Sequence, residues 1–141
     1  MNRRFLLTVF ATIPLLLSGC ATSTHGVDDS KIGKLASELG MTTEQAQAGV
    51  GAMLKVSEVR LDPAQYDRIA SVIPRGDEYV ELARRLGAFQ GAVPTSEGLG
   101  SAFAALGVTP EQAARFVPAV TDYVSTAAGR DVGMSMANAL K

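Results

Sequence analysis

From Ser30 onward, apolar residues recur at the three- and four-residue spacing of helices that each bury one face. Ile32, Leu35, Ala36 and Leu39 form the first stripe. Ala46, Val50, Met53 and Leu54 form the second, and Tyr66, Ile69, Ala70 and Ile73 the third. Tyr79, Leu82, Ala83 and Leu86 form a fourth. Three glycines and Pro94 between Gly87 and Gly98 then mark a long loop or a break between halves. Beyond it, Leu99, Ala102, Phe103 and Leu106 repeat the first spacing. Ala113, Val117, Val120 and Val124 follow with Phe116 and Tyr123 beside them, and Val132, Met136, Ala139 and Leu140 come last. Strand-type alternation is weak throughout. The pattern predicts an all-α fold: a compact bundle of about six or seven short helices over residues 31–141.

Start and stop signals punctuate these stripes. Ser30 is placed to cap the first helix, and Gly40 suits the left-handed residue just past its end. Thr42 with Gln45 forms a capping-box pattern, and Asp62-Pro63 with Gln65 repeats it. Pro74 stops the third helix and Asp77 is placed to cap the fourth, where Glu81 and Arg85 stand at a favourable i, i+4 spacing. Arg84 and Arg85 read as a solvated helix face, with a patch for anionic headgroups as the alternative. Thr109-Pro110-Glu111-Gln112 starts the longest helix, and Pro118 inside it predicts a kink. Asp131 after Gly129 is placed to start the last helix. Gly49 and Gly51 lie inside the second helix, where each costs up to about 1 kcal/mol relative to alanine. They predict close backbone contact with a neighbouring helix, or a ligand against bare backbone.

Two of the corners echo each other. Leu39 to Val50 aligns with Leu106 to Val117 at an offset of 67, with seven of twelve positions identical. Ile32-Gly33 matches Leu99-Gly100 at the same offset, and Gly51 falls opposite Pro118. One reading is duplication, giving two pseudo-repeated helix pairs over 32–54 and 99–121. The other is that capping physics produced the same composition twice.

The start of the chain carries a different signal. Asn2-Arg3-Arg4 precedes an apolar run from Phe5 to Leu17, too short to cross a bilayer as a stable helix. Leu17-Ser18-Gly19-Cys20 ends that run. The segment resembles a bacterial lipoprotein signal peptide with its lipobox, exported by the general secretory route. That resemblance implies cleavage between Gly19 and Cys20, a diacylglycerol on the Cys20 sulfur and usually an acylated, palmitate-type amine. It also implies sorting to the outer membrane, because Ala21 rather than aspartate follows the cysteine. The expected organisation is a signal peptide over 1–19, a lipidated cysteine and flexible tether over 20–30, and the helical domain thereafter. His25, Asp28 and Asp29 in the tether read as solvated positions.

Composition narrows the chemistry. The chain has 13 basic and 14 acidic residues, and cleavage would remove Arg3 and Arg4. The acidic remainder lacks the basic stripe of a nucleic-acid binder, so no nucleic-acid partner is expected. The single cysteine is taken by the anchor, leaving no disulfide. The one histidine lies in the tether, and the folded carboxylates Glu44, Asp62, Asp77 and Glu111 sit where helix starts already require them. No converging set of acid, base, nucleophile or metal ligands emerges, so the chain reads as non-enzymatic, with no cofactor and no metal.

Glu44 to Leu54, Leu61 to Pro74, Leu106-Gly-Val-Thr-Pro110, Phe116-Val-Pro118 and Tyr123 together resemble the VcgC/VcgE-like family of bacterial proteins. The resemblance covers about residues 32–128. It implies a small exported helical domain and supplies no catalytic or binding residues. The leading expectation is a membrane-anchored, periplasm-facing interaction module whose partner is an envelope protein or polymer. The alternative is a carrier of a small apolar ligand, with Gly49, Gly51, Tyr66, Tyr79, Phe103 and Phe116 lining a cavity.

Overall fold

The computed structural model describes residues 27–89 and 96–141. These form seven α-helices and no strand: α1 (Asp29–Leu39), α2 (Thr43–Arg60), α3 (Pro63–Ala70), α4 (Gly76–Arg85), α5 (Ser96–Ala105), α6 (Pro110–Ala128) and α7 (Arg130–Ala139). The all-α bundle read from the stripes is the observed fold.

The bundle is built around α2. Ala46, Ala48, Gly49, Val50, Gly51, Ala52, Met53, Leu54, Val56 and Ser57 are all buried, so this helix has no solvent face over its middle turns. The sequence suggested a single stripe here. Small side chains explain the difference, because they let neighbours close in from several sides. A Cβ at Gly51 would fall on the Tyr79 carbonyl and 2.7 Å from the Val80 nitrogen. One turn further along α2, Leu54 fills the space beside Gly76. α2 and α4 therefore run antiparallel with their backbones nearly touching. This is the close approach that the helix glycines predicted. On another side of α2, a Cβ at Gly49 would lie 2.9 Å from the Phe116 ring and 3.1 Å from the Phe103 ring. Those two rings meet edge to face with centroids 6.0 Å apart. The one buried hydroxyl on α2, Ser57, donates back to the Met53 carbonyl at 2.9 Å.

The two echoed corners share their hydrogen bonding as well as their sequence. Gly40 (φ 66°) and Gly107 (φ 72°) take the left-handed conformation. Met41 N–H reaches the Ala36 carbonyl at 2.9 Å, and Val108 N–H reaches the Phe103 carbonyl at 2.9 Å. Thr42 Oγ1 accepts from Gln45 N at 3.0 Å while Gln45 Oε1 accepts from Thr42 N at 2.9 Å. Thr109 and Gln112 repeat this at 3.2 and 2.9 Å. The corners also dock on one another reciprocally. Gln45 Nε2 donates to the Leu106 and Gly107 carbonyls at 3.0 and 3.3 Å, and Gln112 Nε2 donates to the Leu39 and Gly40 carbonyls at 3.1 Å each. Each glutamine thus caps its own helix with its oxygen and closes the other corner with its nitrogen. The exchange has the form of a local two-fold relation between corresponding residues.

Several local expectations are corrected. Asp28, not Ser30, caps α1, accepting from Lys31 N at 3.0 Å. The fold begins before Lys31: Val27 is buried at 1% exposure and its N–H donates to the Val72 carbonyl at 2.6 Å. Asp77 lies in the first turn of α4, and the cap position holds Arg75, which makes no side-chain cap bond. Leu86, read as buried, is 39% exposed, although its N–H still reaches the Leu82 carbonyl at 3.0 Å. Glu81 pairs with Arg84 at 2.8 Å rather than with Arg85. Pro118 does lie inside the longest helix, as expected, and α6 continues past it to Ala128.

Candidate functional site

Cys20 and Gly19, the expected lipidation and cleavage residues, lie outside the described residues, as do His25 and Pro94. The carrier residues are described, and they do not converge on one cavity. Gly49, Phe103 and Phe116 fill one another's space, and Gly51 is covered by the α4 backbone. Tyr66 is half-buried on α3. Tyr79 borders two open grooves.

Around Tyr79 the structure assembles a polar cluster from three helices. Asp29 in the first turn of α1 accepts from the Tyr79 hydroxyl and the Arg75 guanidinium, both at close range, and from Gln47 Nε2 at 3.0 Å. Arg75 also pairs closely with Glu78 and lies with its guanidinium 6.0 Å from the Tyr79 ring centre. Asp29 is therefore not the solvated tether charge that the sequence suggested. Its partners lie 46 and 50 residues away.

The environment fixes every charge state in this cluster. The Tyr79 hydroxyl bond, joined by Arg75 and Gln47, holds the Asp29 carboxyl below the usual carboxylate range against some desolvation. Burial first, then the Asp29 carboxylate, pushes the Tyr79 hydroxyl far above its ordinary value. Glu78 and Asp29 raise Arg75, and Arg75 in turn lowers Glu78. Asp29 and Glu78 thus stay charged, Arg75 stays cationic and Tyr79 stays protonated around neutral pH. No member is poised to exchange a proton. The arrangement works as a clasp that joins the start of α1 to α2 and α4.

Two open grooves flank the clasp. One, of about 390 Å³, is lined by Val27, Asp28, Asp29, Ser30, Pro74, Arg75 and Tyr79. The other, of about 330 Å³, runs between α2 and α4 and is lined by Glu44, Gln47, Arg75, Glu78, Tyr79, Leu82 and Arg85. A smaller cleft of about 190 Å³ lies where Arg68 on α3 meets Asp131 on α7 at 2.8 Å. Among the described residues no three His, Cys, Asp or Glu side chains are grouped to hold a metal ion. No described helix is long and apolar enough to cross a membrane. Neither the clasp nor the grooves are legible in the sequence, because both depend on which helices pack together.

No curated protein matches the chain, and no solved structure matches it. A sequence profile described as protein of unknown function VcgC/VcgE (DUF2780) matches residues 21–141, a longer stretch than the motifs above span. The chain belongs to the VcgC/VcgE family of proteins of unknown function.

Proposed function

We propose that this protein is an envelope lipoprotein, held by lipid on Cys20 at the periplasmic face of the outer membrane, whose helical domain is a non-catalytic interaction module. The observation that carries the anchor is the apolar leader joined directly to Leu17-Ser18-Gly19-Cys20. The family profile begins at Ala21, one residue after the cysteine, which suits a leader that is not part of the domain. Two or three acyl chains, at about 0.8 kcal/mol per buried methylene, would hold the domain on the bilayer almost permanently. The reading as a module is supported by the clasp, whose ionisable groups are locked in one state, and by grooves that lie open on the surface. Its partner is an envelope protein or polymer, not a nucleic acid.

The anchor is tested by metabolic labelling with a fatty acid and by fractionation. Wild type is expected to take up label and sediment with membranes. Cys20→Ala is expected to lose both properties and to appear uncleaved or soluble. Normal cleavage and membrane recovery of that variant would end the lipoprotein reading.

A further inference from the structure

The groove between α2 and α4 has features that packing alone does not use. Because the helices run antiparallel, the first turns of α2 lie beside the last turns of α4. Leu82 forms part of the floor and is only half-buried. Leu86 follows one turn later on the same side and is 39% exposed. The Arg85 and Glu44 side chains line the groove from its two walls and make no hydrogen bond or ion pair with described residues; Glu44 stands in the first turn of α2, and Arg85, in the last turn of α4, acts on Glu81 only through its charge. At the other end, Arg75 and Glu78 neutralise each other.

We propose that this groove is the docking surface of the module, and that its occupant is an amphipathic peptide segment of a partner protein. The segment lays one apolar side chain over Leu82 and Leu86, offers a carboxylate to Arg85 and turns a basic residue toward Glu44. Charge complementarity and shape select this occupant. A small apolar ligand needs enclosure on most sides, and this trough is open along its length. A peptide needs only one buried face, and opposite charges on the walls set its direction. The inference rests on reading the chain as an interaction module, and it adds the surface and the partner chemistry.

The test is selection of short peptides from a display library on the full-length chain in detergent, followed by binding measurements on the enriched peptides. Enrichment of an apolar residue flanked by an acidic one is expected. Arg85→Glu and Leu86→Glu should each weaken binding about tenfold or more, while Met134→Glu, at an exposed site on α7, should leave it unchanged. Replacing the peptide's acidic residue by lysine should restore binding to Arg85→Glu. All three substitutions are at exposed positions, and circular dichroism checks that the variants fold. Peptides insensitive to both groove variants, or sensitive to Met134→Glu instead, overturn the groove and leave the module reading standing. Recovery of no peptide also overturns the groove proposal, and leaves the module reading with a polymer as its partner. If Arg85→Glu instead weakens adsorption to phosphatidylglycerol vesicles while no peptide is enriched, Arg85 is a lipid contact and the proposal fails.

Discussion

The two halves of the bundle begin alike and then diverge. Residues 39–46 and 106–113 share a left-handed glycine, a threonine cap and a glutamine that reaches both its own helix and the opposite corner. Beyond the corners, α2 is enclosed on all sides over its middle turns, whereas α6 buries Phe116, Val120, Thr121 and Val124 and leaves Pro118 exposed. The divergence is complementary where the halves meet. Gly49 and Phe116 occupy equivalent positions at the offset of 67, and the Phe116 ring sits in the space that Gly49 leaves. Identical residues at a two-fold contact would give either a void or a clash. One gap and one filler give a packed core. Capping is thus shared between the halves, and packing identity is divided between them.

The largest way to break this comparison is Phe116→Ala. It empties the space beside Gly49 and should cost about 3–5 kcal/mol in denaturant unfolding. Gly49→Ala overfills the same space and should cost about 1–3 kcal/mol. Combined with Phe116→Leu, it should cost less than the separate effects added together. Additive costs would mean that the two positions do not share one space.

Gly51 and Pro118 sharpen the contrast by opposite signs. Gly51→Ala drives a methyl into the α4 backbone, which cannot move as a side chain can, and should cost about 3 kcal/mol. Pro118→Ala restores an N–H inside α6 at an exposed position and should stabilise by up to about 3 kcal/mol. Thermal unfolding reads both, and destabilisation by Pro118→Ala would show that the proline is part of the packing.

The corners should respond alike. Gln45→Ala and Gln112→Ala each remove bonds to both corners and should cost about 1–2 kcal/mol. Thr42→Ala and Thr109→Ala should cost about 1 kcal/mol each. Clearly unequal costs for the two glutamines would reduce the reciprocity to a coincidence of geometry.

The smallest effect belongs to the clasp, which the second half lacks. Ser96 stands opposite Asp29 at the same offset and carries no carboxylate. The folded pKa of Asp29 is depressed, so its contribution is present above the unfolded value of about 4 and is lost as pH falls through the lower folded value. Asp29→Asn should flatten this part of the acid-side loss in a pH series of melting temperatures. An unchanged acid limb would place the effect in other carboxylates, such as Asp131 beside Arg68.

What could be read in advance follows from range along the chain. Stripes, capping boxes and left-handed glycines are settled within a few residues, and the corners are as written in the sequence. The Nε2 halves of Gln45 and Gln112 were not legible, because their acceptors lie 61 or more residues away. The same holds for Asp29, which looked like tether until α4 was packed beside it. Gly133 lies inside α7, where no neighbouring residue marks its role. A Cβ there would fall on the Ser125 hydroxyl, so it sets the approach of α7 to α6. The docking groove was hidden for a further reason: Leu82 and Leu86 read as one buried stripe, and only the packing of the other helices leaves the first half-buried and the second exposed.

The burial of Val27 has a mechanical consequence. A pull on the chain ahead of it does not act on a loose end. The tension first meets the Val27–Val72 hydrogen bond, which ties the strand of chain to the turn before α4. Two residues on it reaches Asp29, whose carboxylate is gripped by α2 through Gln47 and by α4 through Tyr79, with Arg75 just ahead of α4. Force is therefore divided between α2 and α4, the two walls of one groove, before it can unwind α1.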